Sequence, residues 1–230
     1  MPGGGELWTE ELSSEPRASL YHNFLSKEEC DYLISLAKPH LKKSRVVDAE
    51  TGGTKESSGR TSSGMFLKRW QDWVVRRIEK RIADYTSIPV EKGEGLRVLH
   101  YEVGQKFDPH FDYYEIGYET KNRGPRQATL LMSEVEDGGE TVFPSAVTAK
   151  SGSSRGGCAR RGALSVQPKM GDALLFWSMR PDGSLDPRSL HDIILCLPLE
   201  RKSLYHEELA SLSRNRITGS HENIVAELGI

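Results

Sequence analysis

The chain has 230 residues, 37% hydrophobic and 28% charged, a balance that suits one globular domain with a real core, or one domain with a small appendage. Its 31 basic and 33 acidic residues leave a formal charge of −2, so nothing global favours nucleic acid or an anionic membrane as a partner. No run of about 18 apolar residues occurs, which predicts no membrane span, and the Gly-rich, acidic start lacks the basic-then-apolar order of a signal peptide.

Residues 1–17 read as a flexible arm. Ser26 is followed three positions later by Glu29, with Leu25 just before the cap; this is a capping box, which satisfies orphan amides at a helix start. Tyr32, Leu33, Leu36 and Ala37 supply an apolar face, predicting a helix over about 27–38 that stops at Pro39. Residues 43–65 carry Gly52, Gly53, Gly59 and Gly64 among many Ser and Thr, and read as loop with room for short strands. A second helix is predicted near 66–85, where Trp70, Val74, Ile78, Ile82 and Tyr85 form one stripe; that spacing assigns Trp70 and Trp73 to the core. Residues 18–94 are therefore expected to be a helical flank.

From Gly95 the pattern changes to short extended runs: Leu96–Tyr101, Phe107–Tyr113, Ala128–Met132, Glu140–Phe143, Leu164–Val166 and Ala173–Trp177. Turn signals such as Val103-Gly104-Gln105, Lys169-Met170-Gly171-Asp172 and Pro181-Asp182-Gly183 separate them. Several short strands with Gly-rich turns predict a sandwich or barrel; helices first and strands afterwards predict an α+β fold, with helices packed outside a β core over 95–199. Residues 145–163, rich in Ser, Gly, Ala and Arg, read as a mobile, solvated insertion. Residues 200–230 read as a polar, helical-looking tail.

Cys30, Cys158 and Cys196 have no close spacing, so neither a disulfide framework nor a zinc knuckle is expected, and their pairing is left open.

His110-Phe111-Asp112 falls inside a predicted strand. Alternate residues of a strand share a face, so the imidazole and the carboxylate are expected to project together while Phe111 points away. One further imidazole from a neighbouring strand would make three facial ligands and leave three open positions, an arrangement suited to Fe(II) enzymes that bind a cosubstrate and oxygen. His191 is the best third ligand, because it follows the β-rich stretch and precedes the apolar run Ile193–Leu197. An HxD pattern by itself occurs by chance, as a surface His beside a turn carboxylate.

Longer motifs narrow the reading. The run from Leu99 to Tyr113, LHYEVGQKFDPHFDY, resembles the iron-binding strand of plant and algal prolyl 4-hydroxylases. Gly138–Pro144, Lys169–Trp177, Leu185-Asp186-Pro187 and Ser189-Leu190-His191 resemble their later signatures, and Arg60–Gly64 fits upstream. The resemblance runs from about residue 15 to His191. It implies a double-stranded β-helix, or jelly roll, flanked by helices, and a peptidyl-proline 4-hydroxylase coupled to oxidative decarboxylation of 2-oxoglutarate. It implies Fe(II), 2-oxoglutarate and L-ascorbate as cofactors, and proline-rich peptides, hydroxyproline-rich or collagen-like, as substrates. It places iron on His110, Asp112 and His191, the far carboxylate of 2-oxoglutarate on Tyr101 and Thr141, and the peptide along Arg60, Ser62 and Arg126. It implies the endoplasmic reticulum or Golgi lumen, although no signal or anchor is visible in this chain.

The chain departs from that pattern after His191. Family members carry a cosubstrate-binding Lys about ten residues on, and its loss removes a charge-assisted hydrogen bond. Here the sequence continues Asp192-Ile193-Ile194-Leu195-Cys196-Leu197, and the family's final strand is not recognisable. Arg201 and Lys202 fall at about the right separation, and either is expected to reach Tyr101 and Thr141 if it substitutes. The strand ending Met132-Ser133-Glu134 is two residues short, an even change that preserves in/out alternation. Phe107 stands where Tyr is common. The alternatives are a non-catalytic or weakly active isoform that keeps iron or peptide binding, and a cupin-like zinc hydrolase.

Overall fold

The computed structural model describes residues 6–48, 51, 53–102, 104–113, 126–134, 139–148, 163–167, 169–194 and 223–229. In chain order these form β1 (Trp8–Glu15), β2 (Arg17–His22), α1 (Lys27–Ala37), β3 (Lys42–Lys43), β4 (Val46–Val47), β5 (Thr54–Lys55), β6 (Ser63–Phe66) and α2 (Trp73–Thr86). There follow β7 (Arg97–Tyr101), β8 (Lys106–His110), β9 (Ala128–Glu134), β10 (Glu140–Phe143) and β11 (Val147–Thr148). The last are β12 (Leu164–Val166), β13 (Ala173–Trp177), β14 (His191–Ile194) and β15 (Asn223–Gly229).

Two antiparallel sheets build a jelly roll. A nine-stranded sheet runs β11-β1-β2-β13-β9-β15-β7-β6-β3, and a four-stranded sheet runs β12-β10-β14-β8. The central strands of the large sheet are buried on both faces, and their period-two alternation sorts side chains between two cores. Val98 of β7, Leu130 and Met132 of β9, Leu175 of β13, and Ile224, Ala226 and Leu228 of β15 join Leu33, Val75, Ile78 and Ile82 of the helices. Leu99 and Tyr101, Leu131, Leu174 and Phe176, and Val225 turn the other way, into the roll, against Phe143, Leu164 and Ile193 of the small sheet. Each such aliphatic side chain contributes about 1.5–3 kcal/mol by leaving water.

Helix α1 begins as its sequence dictates: the Ser26 side chain accepts from the Glu29 amide, and Glu29 returns a bond to the Ser26 amide. Helix α2 starts later than the apolar stripe implies, because Asp72 caps the amides of Val74 and Val75. Trp70 and Trp73 therefore precede or open the helix, are 49% and 68% exposed, and are not core residues. Arginines cover them instead, Arg69 over Trp70 at 5.8 Å and Arg77 over Trp73 at 4.9 Å.

Both chain ends differ from expectation. Part of the expected arm is strand: β1 pairs with β2, from Trp8 opposite His22 to Ser14 opposite Arg17, and Trp8 stacks on the His22 ring at 3.9 Å. Its alternation is hard to see because the strand sits near the sheet edge and carries Glu10, Glu11 and Glu15. The expected helical flank, 18–94, also holds most of β2, while β3 to β6 fall largely in the stretch read as loop with room for short strands. In the tail, 223–229 is strand rather than helix. It inserts between β7 and β9, with Val225 opposite Leu99 on one side and Ser133 on the other. A strand bonded on both edges and buried on both faces shows no polar stripe, which conceals its period. Residues 195–222, which include Arg201, Lys202 and Cys196, lie outside the described residues, as do Cys158 and most of the 145–163 insertion. Cys30 is buried.

Candidate metal centre

Strand β14 lies antiparallel to β8, with His191 directly opposite His110. Their rings come within 4.3 Å, centroid to centroid. Asp112 was expected on the same strand as His110, but β8 ends at His110 and Asp112 follows in a bend. The outcome resembles the expectation by a different route: Phe111 turns outward to stack on Tyr113, and Asp112 turns in and is buried. One atom from each of His110, Asp112 and His191 fits within a 4.8 Å span. His110 Nε2 stands 3.5 Å from Asp112 Oδ1, and His191 Nε2 stands 3.8 Å from Oδ2.

Both imidazoles are oriented by the backbone. His110 Nδ1 lies 2.9 Å from the Asp108 carbonyl, and His191 Nδ1 lies 3.0 Å from the Ser189 carbonyl. A carbonyl can only accept, so each Nδ1 carries a proton and Nε2 is the ring nitrogen left facing the carboxylate. Packing fixes the rings: Phe107 stacks on His110 at 3.5 Å, while Phe143 and Phe176 flank His191 at 5.6 and 4.6 Å. Burial pushes the His191 imidazole down to about 4, so it is a neutral ligand at physiological pH. Burial alone would raise the Asp112 carboxyl, but the facing imidazoles and Arg126 outweigh it and hold it well below the usual carboxylate range. With His191 neutral, permanently charged Arg126 is the lasting counter-ion; its Nη1 stands 3.3 Å from Asp112 Oδ1. Thr129 donates to Oδ2 at 2.5 Å.

Two imidazoles and one carboxylate on one side of a point are the donor set of a non-haem Fe(II) site with open positions. The interior also suits an anionic cosubstrate. Tyr101 sits inside the roll beside Ser62, and burial raises its hydroxyl to about 12, so it remains a donor. Thr141 is buried on β10, opposite Val166 and Ile193; it alternates with Val142 and so shares the inward face with Phe143.

The three residues expected along a peptide groove stand differently. Arg60 is largely buried, its guanidinium 4.2 Å over the Phe107 ring. Ser62 has no exposed surface and donates to Ser44 Oγ at 3.0 Å. Arg126 turns inward, bonded to Glu94 at 2.8 and 3.2 Å and to Glu227 at 3.4 Å besides its pairing with Asp112. Thr129, Glu94 and Glu227 were not picked out from sequence. Thr129 carried a readable signal, as the one hydroxyl within the apolar run Ala128–Met132; Glu227 carried none, because its strand was not recognised.

Comparison with known proteins agrees with this geometry. Residues 96–217 match the 2OG-Fe(II) oxygenase superfamily. The chain is 63% identical over 193 residues to probable prolyl 4-hydroxylase 3 of Arabidopsis thaliana, covering 81% of this chain and 67% of that protein. It is 60% identical over 195 residues to prolyl 4-hydroxylase 5 of the same plant, covering 82% and 67%. It thus spans about two thirds of the length of these relatives. Among solved structures, a viral collagen prolyl hydroxylase from Paramecium Bursaria Chlorella virus-1 superposes with a TM-score of 0.58 at 22% identity, covering 92% of this chain and 94% of that one. A prolyl hydroxylase from Trichoplax adhaerens gives 0.55 at 12% identity, covering 92% and 82%. Likenesses this remote in sequence speak to the shared fold.

Proposed function

The chain belongs to the 2-oxoglutarate/Fe(II) oxygenase superfamily and, within it, to the plant prolyl 4-hydroxylases, and from that premise we propose that it hydroxylates C4 of proline in proline-rich peptides. The substrates are hydroxyproline-rich or collagen-like segments, L-ascorbate maintains the enzyme, and the working compartment is the endoplasmic reticulum or Golgi lumen. The convergence of His110, Asp112 and His191, with both Nε2 atoms aimed at one carboxylate, carries the reading.

Bound iron supplies the redox chemistry that couples oxygen and 2-oxoglutarate to insertion of a hydroxyl group. The protein's share is orientation and exclusion of water. Backbone carbonyls hold the two rings in the tautomer a metal needs. Thr129 and Arg126 restrain the Asp112 carboxylate. Phe107, Phe143 and Phe176 dry the walls around the imidazoles. Tyr101 keeps its proton and can donate to a carboxylate. Polyproline II peptides are already extended and so lose little entropy on entering a groove.

One observation favours a second reading, a weakly active or non-catalytic protein: Arg126, expected in the peptide groove, is bound by Glu94, Glu227 and Asp112. The discriminating experiment incubates the protein with Fe(II), ascorbate, 2-oxoglutarate and a proline-rich peptide. Stoichiometric succinate and hydroxyproline support the hydroxylase. Absence of both, in protein shown to bind Fe(II), supports the second reading. Activity with zinc and no oxygen would sink both.

A further inference from the structure

The chain around the start of α2 gives up stability to keep two indoles in water. Trp70 has φ of +57°, a left-handed conformation that bulky L-residues avoid. It is held there from both sides: its amide donates to buried Glu79 Oε2 at 3.1 Å, and its carbonyl accepts from Arg76 Nε at 3.2 Å. The ring is nonetheless half exposed. Asp72 then caps the amides of Val74 and Val75, which makes Trp73 the first residue of α2 and leaves it more exposed still. Backbone strain that brings so little burial points to a use outside the fold.

The surroundings of the two indoles are basic. Trp73, Arg76, Arg77 and Lys80 share one outward stripe of α2, opposite the buried Val75, Ile78 and Ile82. Arg76 ties that stripe to Trp70, and exposed Lys68 and Arg69 lie just before it. Arg77 is paired with Glu29, and Lys80 with Asp84. Lys68, Arg69 and Arg76 make no ion pair among the described residues; Arg69 bonds the carbonyls of Val90 and Glu91 instead. Glu79, buried beneath, offsets part of the charge of Arg69 and Arg76 but presents none to solvent, and Asp72 is committed to its cap. The whole chain carries −2, so this is a local positive patch on a slightly acidic protein. Helix α2 borders one cleft with Ile88 to Gly93 and another with the start of α1, and neither indole lines either of them.

We propose that the start of α2 docks the protein on an anionic lipid surface, with Trp70 and Trp73 seated at the level of the headgroups and Lys68, Arg69 and Arg76 facing their negative charges. Indoles are amphipathic and settle where apolar chains meet water. Each Lys or Arg near an anionic bilayer adds attraction that salt screens. A protein partner fits the surface less well. The core of a protein interface is depleted of lysine, because a compact ammonium must lose its water there; Lys68 and Lys80 flank the indoles. In a headgroup layer those lysines stay hydrated, and no concavity is needed. The inner face of α2 packs on the helix side of the large sheet, whereas the metal centre lies within the roll on its other side. Docking there leaves the catalytic centre untouched, and the proposal is independent of the reaction assigned above.

The test is flotation of the full chain with vesicles of phosphatidylcholine alone or of phosphatidylcholine mixed with phosphatidylserine. The protein should rise with the mixed vesicles only, and raised salt should release it. Trp73→Ser should weaken that binding by roughly tenfold, through lost apolar contact. Lys68→Gln should weaken it by about fivefold, the worth of one basic residue near such a surface. Trp70→Gly should weaken it as Trp73→Ser does and yet raise the denaturant midpoint, because glycine adopts positive φ freely. Mn(II) affinity should be unchanged in all three. If Trp70→Gly fails to fold, Trp73→Ser, at an exposed first helical position, decides the lipid contact. Failure to bind the mixed vesicles, equal binding to both kinds, or binding that survives Trp73→Ser overturns the proposal. So does protein that binds soluble polyglutamate but neither vesicle, which would assign the patch to an acidic protein partner.

Discussion

Thr129 donates its hydroxyl to Asp112 Oδ2 at 2.5 Å in a fully buried setting. The threonine is on the inward face of β9, beside Leu131, so a strand of the large sheet restrains a ligand carried by a bend after β8. Partners of this kind typically matter by about 10–100-fold in metal affinity. Thr129→Val keeps the shape and removes the donor, and should weaken Mn(II) or Fe(II) binding by that order. Thr129→Ser should recover most of it. An unchanged dissociation constant in Thr129→Val would show that Asp112 is positioned by Arg126 alone.

The pH dependence of the metal-free protein follows from His191. Burial holds its imidazole down to about 4 from the usual 6.5. Between those values the unfolded chain binds a proton that the folded chain refuses, so stability falls as pH drops from 6.5 toward 4 and is unaffected above 6.5. The loss is on the order of 3 kcal/mol at its full extent. Denaturant titrations at successive pH values should show that decline, and His191→Gln, which does not titrate, should flatten it. An equal slope in wild type and variant would mean that other groups drive the loss.

How much of this was legible beforehand depended on which force placed each element. The capping box at Ser26 and Glu29 is local chemistry, and α1 begins where it says. The inner and outer alternation of β7, β9 and β13 follows from strand geometry, and the jelly roll follows from enough such strands. Asp112 was named by the wrong device, since its strand had already ended. Trp70 and Trp73 matched a helical stripe, but Asp72 sets the helix start and puts them outside. The strand β15 was illegible because partners distant in sequence, β7 and β9, select it. Arg126 was read as a groove residue; Glu94 and Asp112 hold it inward, with Glu227 of that same strand as a longer contact. Contacts set by a non-local partner leave no local mark.

Glu29 joins the two helices. Its carboxylate accepts from the Ser26 amide at 3.0 Å, from Arg81 at 2.8 and 3.0 Å and from Arg77 at 2.9 Å. Burial would raise the carboxyl, but Arg81, the Ser26 amide and Arg77 together bring it below its ordinary 4.5. Glu29→Ala should cost roughly 2–3 kcal/mol, less than the 3–5 kcal/mol of a wholly buried pair because the arginines are partly solvated. The folded value is depressed, so the Glu29 contribution is complete above about pH 4.5 and is lost as pH falls through the lower folded value. A wild-type minus variant stability difference that does not shrink on acidification below that point would contradict the ion-pair account.

Gly171 and Gly183 separate two reasons for a glycine. Both have φ of +83°, a region that costs an L-residue about 1–2 kcal/mol. A Cβ on Gly183 would meet nothing within 4 Å, whereas one on Gly171 would stand 2.7 Å from the Leu25 carbonyl oxygen. That oxygen belongs to a held segment: the Leu25 amide donates to the Gly171 carbonyl at 2.8 Å, Leu25 is buried, and the next residue caps α1. Asp172 tightens the same corner by accepting from the Asn23 amide at 3.1 Å and bonding His22 at 2.8 Å. Gly183→Ala should therefore cost only the backbone term, about 1–2 kcal/mol. Gly171→Ala must also push β13 away from the start of α1, and should lose at least about twice as much. Chemical denaturation of the two variants side by side measures the difference, and equal losses would show that the segment before α1 yields freely.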